Sequence, residues 1–459
     1  MKPITYQEIL VATHGTAVGR ASDGLVVTSV STDTRTLTQG ALFVALQGDN
    51  FDGNLYGKTA AERGAACLLL SSVTDDVAAL NIPVIVVDDT LLALQRLAMW
   101  YRKQLDVEVI GITGSNGKTS TKDFTASVLA ERFKVNATKG NLNNHIGLPL
   151  SVLSTEADDQ VCVWEMGMNH AGEIAPLCEI SAPNIGIITN IGTAHIEHLG
   201  SREGIAEEKA ALARSLPEQG TLILPASCDF VDYVIERTRA KVLIAGNCRG
   251  VVRAENLQLG DDGASFDLCI DGESSQPVTL GVTGKHMVNN ALLAAASGHS
   301  LGMTAEEIAR GLNQTVLTSG RLRRFQTQGI TIFDDTYNAN PDSVAAAIEA
   351  LADLPVHNGS RRVIVLGMMA ELGSFADAEH LRIGKLAAEK NLQVISVGDK
   401  AAKIYQGAHE VSDSAKQFND AQEAADWLKE YTQEGDCVLF KGSRMAAMEK
   451  VMQAAFPQD

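Results

Sequence analysis

Val107-Glu108-Val109-Ile110-Gly111-Ile112-Thr113-Gly114-Ser115-Asn116-Gly117-Lys118-Thr119 is the stretch that decides the fold. Its first half is apolar, which predicts a buried strand over 107–113. A glycine-rich turn ending in Gly-Lys-Thr follows, and after it a helical pattern with Phe124, Val128 and Phe133 on one face. Strand, glycine loop and helix in that order make a phosphate-binding loop. Glycines let backbone N–H groups turn toward phosphate oxygens, and the helix N-terminus adds a favourable dipole. Lys118 is placed to pair with β/γ-phosphates, and the Thr119 hydroxyl to reach Mg²⁺. The spacing departs from a strict G-x-x-x-x-G-K-S/T, which needs glycine where Ile112 stands. The competing reading is a tight turn with a solvated lysine, and the strand–loop–helix context weighs against it. A second Gly-Lys, Gly284-Lys285, is followed by His286 where Ser or Thr is required, and it reads as a decoy.

Working upstream, Leu91, Leu94, Ala98, Tyr101 and Leu105 recur at spacings of three and four, an amphipathic helix leading into the strand. Before it, 41–46 is apolar, glycines punctuate 48–53, a helix-like stretch ends at Gly64, and 65–70 reads as a strand. These form a small N-terminal α/β domain, assigned to residues 1–84. Downstream, 161–164 and 185–189 read as buried strands, while 261–270 alternates as an antiparallel edge would. The central domain takes 85–314. The last third, 315–459, repeats strand-then-helix units with strands at 330–333, 363–366, 394–397 and 437–440. That pattern is Rossmann-like, but no G-x-G-x-x-G follows any of these strands, so a bound dinucleotide is not supported. The fold class is α/β in three domains: a central P-loop parallel-sheet domain flanked by the small N-terminal domain and the Rossmann-like C-terminal one.

In open parallel sheets, ligands sit beyond the carboxyl ends of the strands. Glu165 ends the run at 161–164, where a magnesium-binding acid stands in other P-loop proteins; a surface acid is the bland alternative. His195 lies just past 185–191, and on sequence alone it reads as a capping or core histidine. Lys209, in Glu207-Glu208-Lys209-Ala210, reads by itself as part of a solvated helix face. Asp334 and Asp335 end the strand at 330–333 and could bind metal or orient a nucleotide. Arg321 could meet a phosphate as a bidentate donor, or be an exposed linker charge.

Composition narrows the class. A chain of 459 residues, 45% hydrophobic and 20% charged, is globular and too long for one core. The longest apolar runs are short pieces such as 82–87, so no membrane insertion is expected. The start, Met1-Lys2-Pro3-Ile4-Thr5-Tyr6, lacks the pattern of a signal peptide, so cytoplasmic residence is expected. Seven scattered cysteines without a C-x-x-C pair read as reduced core thiols. A net charge of −18 repels nucleic acid, and the one basic cluster, Arg321, Arg323 and Arg324, is too short for a nucleic-acid track.

Taken together, Thr113 to Thr119, Glu165, His195, Asn290, Arg321 and Asp335 resemble, in order, the functional positions of the Mur ligase superfamily. The variant phosphate loop of that superfamily accounts for the odd spacing. Further strings point to its branch that adds D-alanyl-D-alanine to UDP-N-acetylmuramoyl-tripeptide. They are Asp33-Thr34-Arg35, Asn141-Leu142-Asn143-Asn144-His145, Tyr337-Asn338-Ala339-Asn340-Pro341-Asp342-Ser343 and Met369-Ala370-Glu371-Leu372-Gly373. The chain departs from the pattern at His286-Met287, where His-Asn is common. The resemblance implies an ATP- and Mg²⁺-dependent ligase, monomeric, with UDP-N-acetylmuramoyl-tripeptide and D-alanyl-D-alanine as substrates. It implies nucleotide contacts from Gly114, Ser115, Asn116, Gly117, Lys118, Thr119, Ser120, Asn290, Arg321 and Asp335. It implies metal contacts from Thr119, Glu165, His195 and Lys209 as a carbamate, with Lys118, His195 and Lys209 catalytic. Asp33, Arg35, Asn141, Asn143 and Asn144 would meet the UDP-substrate. Two rivals stand beside it: a P-loop switch or motor that needs no second small substrate, and a folate polyglutamate synthetase, against which the Asp33-Thr34-Arg35 region argues.

Overall fold

The structure, a computed structural model, describes residues 1–18, 24–246, 250–355 and 359–457; Cys248 lies outside them. The strand of the opening motif is Glu108–Thr113, buried from Val109 onward, and it sits inside a nine-stranded sheet. Val161–Glu165 pairs parallel on one side of it and Ile185–Ile188 parallel on the other. Chain direction across the sheet reverses at this strand, and that opens a crevice at its carboxyl end. Beyond Ile185–Ile188 come Thr221–Pro225, Lys241–Ala245 and Val252–Leu259, all parallel. Ala264–Ile270 and Gln276–Leu280 then fold back antiparallel. The alternating segment at 261–270 is thus antiparallel, as its pattern requires, but it is interior; Gln276–Leu280 is the edge.

The helix after the loop is Lys118–Ala130, with Phe124 and Val128 buried against the sheet and Phe133 just past its end. The preceding helix, Thr90–Arg102, buries Leu94, Ala98 and Tyr101. Asp89 caps it by accepting from Leu92 N at 2.9 Å. The Tyr101 hydroxyl ties the N-terminal segment to the central domain, accepting from Lys2 N and donating to the Thr155 carbonyl, each at 2.6 Å.

The first domain holds a five-stranded sheet ordered Thr16–Val18, Val84–Val86, Cys67–Leu70, Leu42–Val44, Val30–Ser31. Val84–Val86 pairs parallel with Cys67–Leu70, so the sheet runs past residue 84 and the boundary placed there falls on its last strand. The glycine-punctuated stretch forms a small hairpin, Gln47–Gly48 against Phe51–Asp52. The third domain has six strands ordered Arg323–Thr327, Ile330–Asp335, Cys437–Lys441, Arg362–Leu366, Gln393–Val397, Lys416–Phe418. All pair parallel except the first, which forms a hairpin with Ile330–Asp335. Among the described residues no helix is long and apolar enough to cross a membrane. Four of the cysteines are buried, and burial pushes the Cys67, Cys162 and Cys178 thiols up to about 12, as inert core thiols require.

Candidate active site

Ile112 shows why the phosphate loop is spaced as it is. It is a buried strand residue, paired with Glu165 on one side and Ile187 on the other, so the turn begins only at Gly114. A Cβ on Gly114 would stand 1.8 Å from Thr189 Oγ1, and one on Gly117, at φ +77°, 2.6 Å from Asn290 Oδ1. A side chain at either position would force its neighbour to shift. The segment after Ile185–Ile188 holds the loop in shape. Thr189 Oγ1 donates to the Asn116 carbonyl at 2.5 Å, Asn116 N donates to Asn190 Oδ1 at 2.8 Å, and Gly192 N donates to Ser115 Oγ at 2.9 Å. Lys118 Nζ bends back to donate to the Gly114 carbonyl at 2.8 Å. Desolvation pulls its pKa below the ordinary lysine value; Arg321 adds to that and Glu165 opposes it.

The loop opens into a cavity of about 480 Å³ between the central and third domains. Of the expected residues, Ser115 to Ser120, Asn143, Asn144, Glu165, His195, Asn290, Arg321 and Asp335 line it. Glu165, the last residue of its strand, accepts from Thr119 Oγ1 at 2.9 Å and from Asn143 Nδ2 at 2.7 Å. Arg321 is no loose linker charge: its guanidinium lies 4.0 Å over the Tyr337 ring and donates to Thr119 Oγ1 at 3.2 Å. Asp335 is paired with Lys441 at 2.6 Å, whereas Asp334 turns away to accept from the Thr336 hydroxyl at 2.7 Å. The two neighbouring acids therefore do different work. Met287 also lines the cavity, its sulfur 3.8 Å from Asn290 Nδ2, while Lys285 sits outside on Asp353.

Five expected residues lie off the lining. Gly114 is buried at the start of the loop, and Asn141 is exposed. Asp33 and Arg35 form an exposed pair at 2.7 Å in the first domain, and the guanidinium holds the Asp33 carboxyl down at about 2. Lys209 is 1% exposed on the helix Arg202–Ser215, so the solvated-face reading fails. Its sequence neighbours are engaged elsewhere: Glu207 with Arg214 and Arg237, Glu208 with the N–H groups of Gly172 and Ile174. Among the described residues, the hydrogen-bond contact of Lys209 Nζ is the Met168 sulfur, at 4.0 Å. Desolvation, reinforced by the Lys118 charge, drives its pKa well below the ordinary value.

The third domain supplies residues that the sequence reading did not single out. Asn340, which caps the helix Pro341–Asp353, exchanges two amide hydrogen bonds with Asn116 of the phosphate loop, at 2.7 and 3.2 Å. Asp342 accepts from Thr193 N at 2.6 Å and from its hydroxyl at 2.8 Å. Glu371 meets His195 Nδ1, and His195 in turn holds the Glu371 carboxyl below its usual range. Asn340, Asp342 and Glu371 all stand in the quoted strings, but only the tertiary structure shows which partners they meet.

Fold and cavity define a multidomain P-loop protein whose phosphate loop is covered by a second α/β domain. Three family models match in order: the Mur ligase family catalytic domain over 26–102, the Mur ligase middle domain over 112–298, and the Mur ligase glutamate ligase domain over 320–444. The chain belongs to the Mur ligase family. It is 36% identical over 98% of its length to the UDP-N-acetylmuramoyl-tripeptide–D-alanyl-D-alanine ligase of Bacillus subtilis, covering 97% of that protein. Against the enzyme of the same name from Escherichia coli K12 it is 36% identical, over 94% of each chain. A crystal structure of MurF from Acinetobacter baumannii superposes with a TM-score of 0.91 at 33% identity over 100% of both chains. The MurF ligase of Thermotoga maritima in complex with ADP gives 0.83 at 27% identity, over 95% of this chain and 98% of that one.

Proposed function

We propose that this chain joins D-alanyl-D-alanine to UDP-N-acetylmuramoyl-tripeptide with ATP, giving the UDP-linked pentapeptide, ADP and phosphate for peptidoglycan, as a cytoplasmic monomer. The observation that carries this reading is a phosphate loop facing a second domain across a shared cavity, in a chain matching the named relatives nearly end to end. A carboxylate is a poor electrophile because its leaving group is oxide. Transfer of the γ-phosphoryl group of ATP to the tripeptide carboxylate makes an acyl phosphate. The dipeptide amine adds to that carbonyl, phosphate leaves from the tetrahedral intermediate, and the nitrogen gives up its proton.

The proposed reaction divides the work among these residues. Lys118 and Arg321 set positive charge around the transferring phosphoryl group before it moves. Gly114 to Ser120 turn N–H groups toward the nucleotide phosphates, and Asn290 and Asp335 meet its remainder. Asn141, Asn143 and Asn144 meet the phosphates or peptide of the acceptor, while Asp33 and Arg35 hold its UDP end in the first domain. Thr119, Glu165 and His195 offer a hydroxyl, a carboxylate and an imidazole around one cavity, a donor set that suits a divalent cation. Bound there, Mg²⁺ would neutralise phosphate charge.

Lys209 belongs to the same set as a carbamate. Its buried amine, beside the Met168 sulfur, is driven toward the neutral form, the form that attacks CO₂ and loses a proton to leave an anion. The test is phosphate release with UDP-N-acetylmuramoyl-tripeptide while the amine is varied. Release that depends on D-alanyl-D-alanine is expected; equal release without it would make the chain a P-loop switch or motor.

A further inference from the structure

Glu371 reaches His195 from the other side of a domain boundary. It follows the strand Arg362–Leu366 of the third domain, whereas His195 precedes the short helix Ile196–Leu199 of the central one. Both are non-glycine residues in the left-handed region, at φ 59° and 63°. Strain of this kind persists only where surrounding contacts over-determine it, and it clusters at functional sites. The contacts are present. Glu197 N approaches the Glu371 carbonyl at 3.4 Å, and Gly373 packs so closely that a Cβ there would stand 3.1 Å from Glu197 Cγ. The segment 371–373 is therefore seated on the turn that carries His195, and the Glu371 carboxylate meets Nδ1 of the ring.

We propose that Glu371 is a positioning residue that fixes the ring of His195 when the third domain closes. A carboxylate held against the Nδ1 side of an imidazole favours the tautomer with the proton on Nδ1 and the lone pair on Nε2, the arrangement by which a second residue orients a metal-ligating histidine. Because Glu371 and His195 come from different domains, the cation site is complete only in the closed arrangement. Closure would thus switch on the site as well as exclude water. This rests on the reading of His195 as a magnesium ligand.

The test uses Glu371→Gly and Glu371→Gln in the full chain. Glycine adopts the left-handed backbone without strain, so that variant loses the carboxylate while the turn is relieved; melting curves check that it folds. Glutamine keeps length and an acceptor oxygen. Binding of Mn²⁺ to the ADP complex, read from the electron spin resonance of free Mn²⁺, is compared with kcat and KM. Glu371→Gly should weaken Mn²⁺ binding about 10- to 100-fold and lower kcat comparably, with KM for the UDP-substrate unchanged and Glu371→Gln in between. A Glu371→Gly protein that binds Mn²⁺ like the wild type would overturn the proposal. The Mn²⁺ measurement needs no dipeptide. A wild type that ligates nothing yet shows this Mn²⁺ difference would count against the proposed reaction and for the role of Glu371.

Discussion

Lys209 and Lys118 are both lysines whose pKa desolvation lowers, and they differ in the partners they keep. Lys118 keeps an oxygen partner, the Gly114 carbonyl, and stands where phosphate would replace it. Lys209 has burial and a sulfur neighbour. At an ordinary pKa only about one lysine in a few thousand is neutral at pH 7, so the burial of Lys209 is what makes carbamate formation practicable. Lys209→Ala is expected to lower kcat roughly a hundredfold or more, with partial recovery on adding a small carboxylate such as acetate. Wild-type turnover by the alanine variant in CO₂-depleted buffer would end that assignment. Lys118→Ala should lose about 100- to 1000-fold in kcat while the UDP-substrate still binds, because Asp33 and Arg35 belong to another domain. An equal loss of affinity in an equilibrium binding assay would break that division of labour. Lys118 was legible in the sequence because its neighbours announce the loop. Lys209 was legible only through resemblance, since Glu207 and Glu208 beside it signal a solvated face. Its burial comes from packing by Met168 and the sheet, which no local pattern encodes.

At the scale of the element, the loop between strand and helix carries the most information per residue. Gly117 sits at φ +77° and under Asn290. Gly117→Ala would cost about 1–2 kcal/mol in backbone strain alone and would push Asn290 off its seat. ADP affinity by calorimetric titration should fall about tenfold or more; an unchanged affinity would mean the loop is not shaped by that contact. The buried parallel strands were legible because they are continuous apolar runs. What escaped the pattern is short or half-exposed. Arg323–Thr327 carries two arginines and one buried-side Phe325, and Lys416–Phe418 is an edge of three residues, so neither shows a period. Ala264–Ile270 alternates like an edge because only one face of the antiparallel extension is buried, although Gln276–Leu280 lies outside it. Val84–Val86 was cut from its own sheet because its partner Cys67–Leu70 is distant in sequence, and pairing, not composition, decides where that domain ends.

Across the whole molecule, three of the contacts by which the third domain grips the central one lie at the site: Asn340 on Asn116, Asp342 on Thr193, and Glu371 on His195. All three central-domain partners belong to the phosphate loop or the segment after Ile185–Ile188, so closure and nucleotide binding share the same atoms. Asp342→Ala removes two hydrogen bonds to one carboxylate oxygen. It should shift the nucleotide-bound protein toward an open form in small-angle X-ray scattering and lower kcat about tenfold or more. A scattering curve identical to the wild type would show that this contact does not hold the domains together. The three-domain order and the phosphate loop were readable from sequence, but the grip was not, because each contact joins residues far apart in the chain. In the proposed reaction ATP activates a carboxylate for attack by an amine. Its most direct test is to label the terminal carboxylate of UDP-N-acetylmuramoyl-tripeptide with heavy oxygen and follow the label through one round of ligation with D-alanyl-D-alanine. An acyl phosphate must pass one labelled oxygen to the released phosphate; phosphate free of label would contradict the account.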